Sequence, residues 1–115
     1  LLYRATGGSS IVLVNDNDSA SQISTGSWSH VVVTGKSDQY SMYLNGKLVG
    51  RETDTALTAD GNMTRVTIGN SADDDNLSGT GFDGKLGPVS IYKDKALTHA
   101  EVKQNFNAQR SRFGI

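Results

Sequence analysis

At 115 residues and 12.2 kDa the chain has room for one domain, 1–115, whose single core buries roughly 60–70% of the surface its unfolded form exposes. Lys+Arg number 11 and Asp+Glu 12, a net charge of −1, which excludes nucleic acid as a natural partner because polyphosphate binding runs on an excess of basic side chains. There is no Cys, hence no disulfide framework, thiol nucleophile or zinc–thiolate site, and the apolar runs are only a few residues long, too short for a membrane span or a signal-peptide core.

Thirteen Gly and one Pro, spread among Ser, Asn, Asp and Thr, are the composition of short strands joined by tight turns. The first strands expected are Leu1–Arg4, closed by Gly7-Gly8, and Ile11–Val14, closed by the polar run Asn15–Asp18. Trp28–Thr34 is rich in β-branched residues, which suit a pleated surface. Gln39–Leu44 alternates and places Tyr40, Met42 and Leu44 on one face. Asn45-Gly46 then separates Tyr43-Leu44 from Lys47–Val49. Both central positions of a type I′ turn need φ > 0, which Asn and Gly tolerate best, so this dipeptide predicts a hairpin. Arg65–Ile68 alternates again, and Phe82–Tyr92 carries Leu86, Val89 and Ile91 around Pro88, whose missing N–H marks an edge or a break. Trp28, Val31, Val33, Leu44, Ile68 and Ile91 are the expected core.

One helix closes the chain. Thr98 and Glu101 form a capping box, and Leu97 before the cap with Val102 inside the helix makes a hydrophobic staple. Val102 and Phe106, four apart, are expected to face the sheet, while Arg110 and Arg112 complement the C-terminal end of the dipole. Many strands and one late helix predict an all-β fold, an antiparallel β-sandwich with one short C-terminal helix.

From Trp28 onward the blocks Trp28–Thr34, Tyr43–Val49, Val66–Gly69, Phe82–Leu86, Val89–Tyr92 and Ala96–Val102 stand in an order that resembles the C-terminal half of a laminin-G-like, concanavalin-A-like lectin/glucanase domain, the jelly-roll superfamily that includes the pentraxins. The ending Asn105–Asn107 with Arg110, Arg112, Phe113 and Gly114 is similar to such domains appended to bacteriophage and marine microbial surface proteins. The resemblance implies a virion or extracellular surface location. Family members carry further strands before the position of Leu1, one of them pairing near the C-terminal strand. The chain starts at Leu1 rather than Met, so the expectation is a piece of a longer protein that lacks these strands, or one whose missing edges are covered by a protein partner or by self-association.

Sandwich glycosidases of this superfamily need two carboxylates on one strand. This chain has two Glu, Glu52 and Glu101, far apart, and its Asp residues sit in turns, so no catalytic residue is assigned and the chain is read as a non-enzyme. His30 is read as a packed or rim side chain and His99 as a solvated first-turn residue. Trp28, Tyr40, Tyr43 and Tyr92 offer either a sugar-stacking platform or ordinary core and cross-strand packing. Two acidic clusters, Asn15–Asp18 and Asp73–Asn76, suit either Ca²⁺, which takes six to eight oxygen ligands, or self-bonded turns. Pentraxins draw calcium ligands from an acidic loop between the blocks that Ile68-Gly69 and Gly81-Phe82-Asp83 resemble. The resemblance therefore implies Ca²⁺ as the cofactor, held in Ser71–Asn76; alternation in an extended loop points Asp73 and Asp75 the same way and Asp74 outward, so Asp73 and Asp75 are the expected metal ligands. The function expected is a non-catalytic recognition or assembly module, with a calcium-dependent glycan-binding lectin domain and a glycoside hydrolase fragment as alternatives.

Overall fold

The computed structural model describes residues 2–4, 10–12, 23–53, 68–69 and 82–115. The chain divides into two compact units, one of Leu1–Ala59 with Lys93–Ile115 and one of Asp60–Tyr92. In the first unit β1 (Leu2–Arg4) pairs antiparallel with β2 (Ser10–Val12), Leu2 opposite Val12. A second antiparallel sheet holds β3 (Val31–Lys36), β4 (Gln39–Leu44) and β5 (Lys47–Thr53) in the order β3-β4-β5. Helix α1 (His99–Phe113) completes the unit. Among the described residues, the antiparallel pairing and the one C-terminal helix agree with the expected architecture. Among the described residues, no helix is long and apolar enough to cross a membrane.

Two two-residue turns join the sheet. Asn45 (φ 50°) and Gly46 (φ 77°) take the paired positive angles of a type I′ turn, whose twist matches that of the flanking strands. In the other turn Ser37 also has φ 55°, a left-handed conformation that costs an L-residue about 1–2 kcal/mol. Glycine takes it without that penalty but loses more backbone entropy on folding, so Ser37→Gly is expected to stabilise the chain by about 0.5–1 kcal/mol. Urea unfolding checks this, as a raised midpoint at unchanged slope.

β4 is the central strand and its neighbours are fitted to it. Gly35 stands opposite Tyr40, and a Cβ there would lie 3.0 Å from the tyrosine ring; the ring covers the backbone that the glycine leaves bare. Between Met42 and Tyr43 the register with β5 shifts. Met42 faces Gly50 and Tyr43 faces Leu48, so Val49 is the extra residue of a β-bulge.

The pairs Val32–Tyr43 and Val31–Leu44 belong to opposite faces of this sheet, because side chains alternate along a strand. The Tyr43 face receives α1. Tyr43, Leu97 and the fully buried Val102 form the core cluster, with Val32 packed against it. The staple thus seats the helix start, and the heptad neighbour of Val102, Phe106, continues the contact toward the turn.

The core differs from the expected one on this point. Leu44 is buried (8% exposed), but Trp28 is 36% exposed, Val31 41% and Val33 44%. Val31 and Val33 lie on the face that the helix does not cover, and Trp28 precedes β3 instead of belonging to it. Alternation in β3 separates its two faces correctly but carries no mark of which one the helix takes.

In the second unit, Ile68 and Gly69 form a bend, and Phe82 donates its N–H to the Gly69 carbonyl at 2.6 Å. The Phe82 ring lies against Gly84, where a Cβ would sit 2.7 Å from it. Phe82–Tyr92 is not a strand, and Ile68 (50% exposed) and Ile91 (75% exposed) are not core. Pro88 removes one ladder donor, and the exposed Phe82, Leu86 and Val89 lack the burial that fixes a strand. Residues 65–67 of the expected strand Arg65–Ile68, and 13–14 of Ile11–Val14, lie outside the described residues.

Candidate functional site

Local backbone chemistry first builds the joint where α1 meets the β4–β5 turn. The type I′ turn turns the Asn45 side chain back toward the start of β3. Its Oδ1 accepts the His30 N–H at 2.9 Å, and its own N–H donates to the His30 carbonyl at 2.8 Å. Two hydrogen bonds to the His30 backbone thus pin the entry of β3 to the turn. Gly46 is buried beneath the Phe106 ring, and a Cβ there would approach Phe106 Cδ1 to 3.0 Å.

The helix contributes the other wall. Phe106 faces His30 with ring centroids 5.8 Å apart, and His99 faces Tyr43 at 5.5 Å. His99 Nε2 lies 3.2 Å from the Gly46 carbonyl and, as the protonated ring nitrogen, donates to it. Further along α1, Phe113 packs on Trp28 at 5.0 Å, Arg110 lies 5.5 Å from the Phe106 centroid, and Arg112 lies 5.6 Å from that of Phe113. These guanidinium–ring contacts contribute about 0.5–1 kcal/mol each at exposed positions. The two histidines reach backbone and aromatic partners, so the joint's chemistry is that of a hinge pin.

The helix start is held as the capping box requires. Glu101 N–H donates to Thr98 Oγ1 at 3.3 Å, Thr98 N–H donates to Glu101 Oε2 at 2.8 Å, and Lys95 Nζ pairs with Glu101 Oε1 at 2.6 Å. The Lys95 ammonium, then the Thr98 amide and hydroxyl, hold the Glu101 carboxyl down to about 2. A carboxylate depressed in the folded state stabilises it fully above its ordinary value near 4.5 and loses that contribution as pH falls through 4.5 toward 2. Thr98→Ala removes two of these contacts. It is expected to cost about 1 kcal/mol and to move the Glu101 carboxyl toward its ordinary value, read by NMR titration of the carboxyl carbon.

The expected metal ligands Asp73 and Asp75, with the rest of Ser71–Asn76, lie outside the described residues, as does Asn15–Asp18. Among the described residues no group of three or more His, Asp or Glu could hold a metal ion. Trp28, Tyr40 and Tyr43, all of the first unit, do not share one platform. Tyr43 is buried under α1, Tyr40 lies on the opposite face of the same strand against Gly35, and Trp28 packs on Phe113. What the sheet does offer is an apolar strip on the face away from α1. Val31 and Val33 are half-exposed there, while their cross-strand partners Leu44 and Met42 on the same face are buried. The joint of His30, Gly46, His99 and Phe106 was not foreseen as a unit, although Asn45-Gly46 and the Val102–Phe106 spacing mark its two halves.

Comparison with known proteins places this geometry in context. A laminin G family model, described as the concanavalin A-like lectin/glucanases superfamily, matches residues 2–103. Among solved structures, that of an S-layer domain-containing protein from Clostridium thermocellum is similar, with a TM-score of 0.62 and 28% sequence identity. The match covers 87% of this chain and 46% of that one, so the chain spans less than half the length of this solved neighbour. Among curated proteins no significant match is found.

Proposed function

Because the chain belongs to the concanavalin A-like lectin/glucanase superfamily, we propose that it is a non-catalytic recognition or assembly module of an extracellular surface or virion protein, built as one jelly-roll sandwich domain. The observation that carries this reading is the half-exposed apolar pair Val31 and Val33 on an antiparallel sheet. An apolar strip of this kind on a sheet face is what a second sheet or a partner covers. Its likeness to a protein described as S-layer domain-containing supports the surface location.

The partner is a protein surface or a second copy of the chain, seated against the strip. The superfamily also includes lectins, and this supports a second reading in which a glycan is held with Ca²⁺ in the loop of Asp73 and Asp75. Two measurements separate them. Light scattering of the chain and of Val31→Lys/Val33→Lys reads assembly. A glycan array with and without EDTA reads calcium-dependent sugar binding. Association lost in the double variant, with no EDTA-sensitive glycan signal, is the result expected. A stable monomer at high concentration together with a glycan signal abolished by EDTA would replace the first reading by the second.

A further inference from the structure

We infer that the seat of α1 on the β4–β5 turn is an acid-released latch, in which a proton taken up by the His30 imidazole loosens the helix from the sheet. The His30 Nδ1 is closed off from solvent and meets no hydrogen-bond partner. A neutral imidazole tolerates that position as the unprotonated, acceptor nitrogen. The imidazolium carries an N–H on both ring nitrogens, and so leaves a buried donor unmade beside a positive charge.

Among the described residues nothing compensates that charge. From α1 the ring meets Phe106, beside which lies the cation of Arg110. From the turn, Asn45 is uncharged and engaged with the His30 backbone. His99, on the same helix, is turned to the Gly46 carbonyl, and the exposed Lys47 after the turn is again a cation. The sole acidic residue of α1, Glu101, is held by Lys95 and Thr98 at the helix start. Burial therefore keeps the His30 ring below its ordinary value of 6.5. The undocked chain takes up the proton more readily than the docked one, so docking weakens as pH falls below about 6.5 and is fully retained above it.

Trp28, the single tryptophan, packs on Phe113 at the far end of α1 and reports docking directly. The test follows its emission maximum and the amide-exchange protection of α1 and β4 between about pH 7.5 and pH 5. The expected result is a shift to longer wavelength and a fall in α1 protection that deepens as the pH drops, with β4 amides still protected. His30→Phe keeps both readings unchanged, and His99→Gln keeps the transition. Protection of α1 that does not vary with pH, or an undiminished transition in His30→Phe, would overturn the latch. So would an NMR titration of the His30 ring in the unaltered chain with its midpoint at or above 6.5, a reading that needs no variant to fold.

Discussion

Gly46→Ala is expected to lower the stability of the chain by about 2–5 kcal/mol and to detach the C-terminal helix from the sheet before the sheet itself melts. Two costs add. The φ of 77° is one that an L-residue reaches only at about 1–2 kcal/mol. The new methyl also arrives 3.0 Å from Phe106 Cδ1, closer than packed carbons lie, so the ring must move or the turn must open, at a cost of about 1–3 kcal/mol. Gly26→Ala separates the terms. Gly26 has φ 81° but no atom within 4 Å of the added carbon, so it carries the conformational cost alone, about 1–2 kcal/mol. Urea unfolding of the two variants gives the difference. Equal losses would mean that Phe106 does not press on the turn.

Val102→Ala is expected to cost about 2–3 kcal/mol. Its side chain is 0% exposed, between Tyr43 and Leu97 with Val32 alongside. Truncation removes two methyl groups from a fully buried place, at about 0.8 kcal/mol per group, and leaves a cavity that a sheet on one side and a helix on the other cannot close. Val33→Ala is the matched control. Val33 is 44% exposed, so the same truncation there leaves a surface notch and is expected to cost less than about 1 kcal/mol. Thermal unfolding checks the contrast. Losses of equal size would place Val33 in a core that its exposure denies.

The parts of the fold legible in the sequence are those that local chemistry dictates. Asn45-Gly46 is read as a type I′ hairpin because two adjacent positive φ values leave few residue choices, and Thr98 with Glu101 is read as a helix start because each satisfies the other's backbone amide. What the sequence leaves out is set by tertiary contact. The alternation of Val31, Val32 and Val33 defines two faces, yet only the docking of Val102 onto Tyr43 decides that the Val32 face is the covered one. Gly35 reads as the end of a strand, yet β3 runs through it to Lys36 because the Tyr40 ring lies over the bare backbone. For the site, the hairpin and helix halves of the joint were each visible, but their meeting at Gly46 rests on residues His30, Gly46 and Phe106, far apart in the chain.

The measurement that tests the central reading most directly is cosedimentation of the folded chain with isolated microbial cell-envelope fractions, with analysis of any sugar released. A recognition module binds saturably, loses that binding in Val31→Lys/Val33→Lys while circular dichroism shows the fold retained, and leaves the envelope glycans at their original length. Shortened glycans that accumulate with time, or the absence of saturable binding to any fraction, would contradict it.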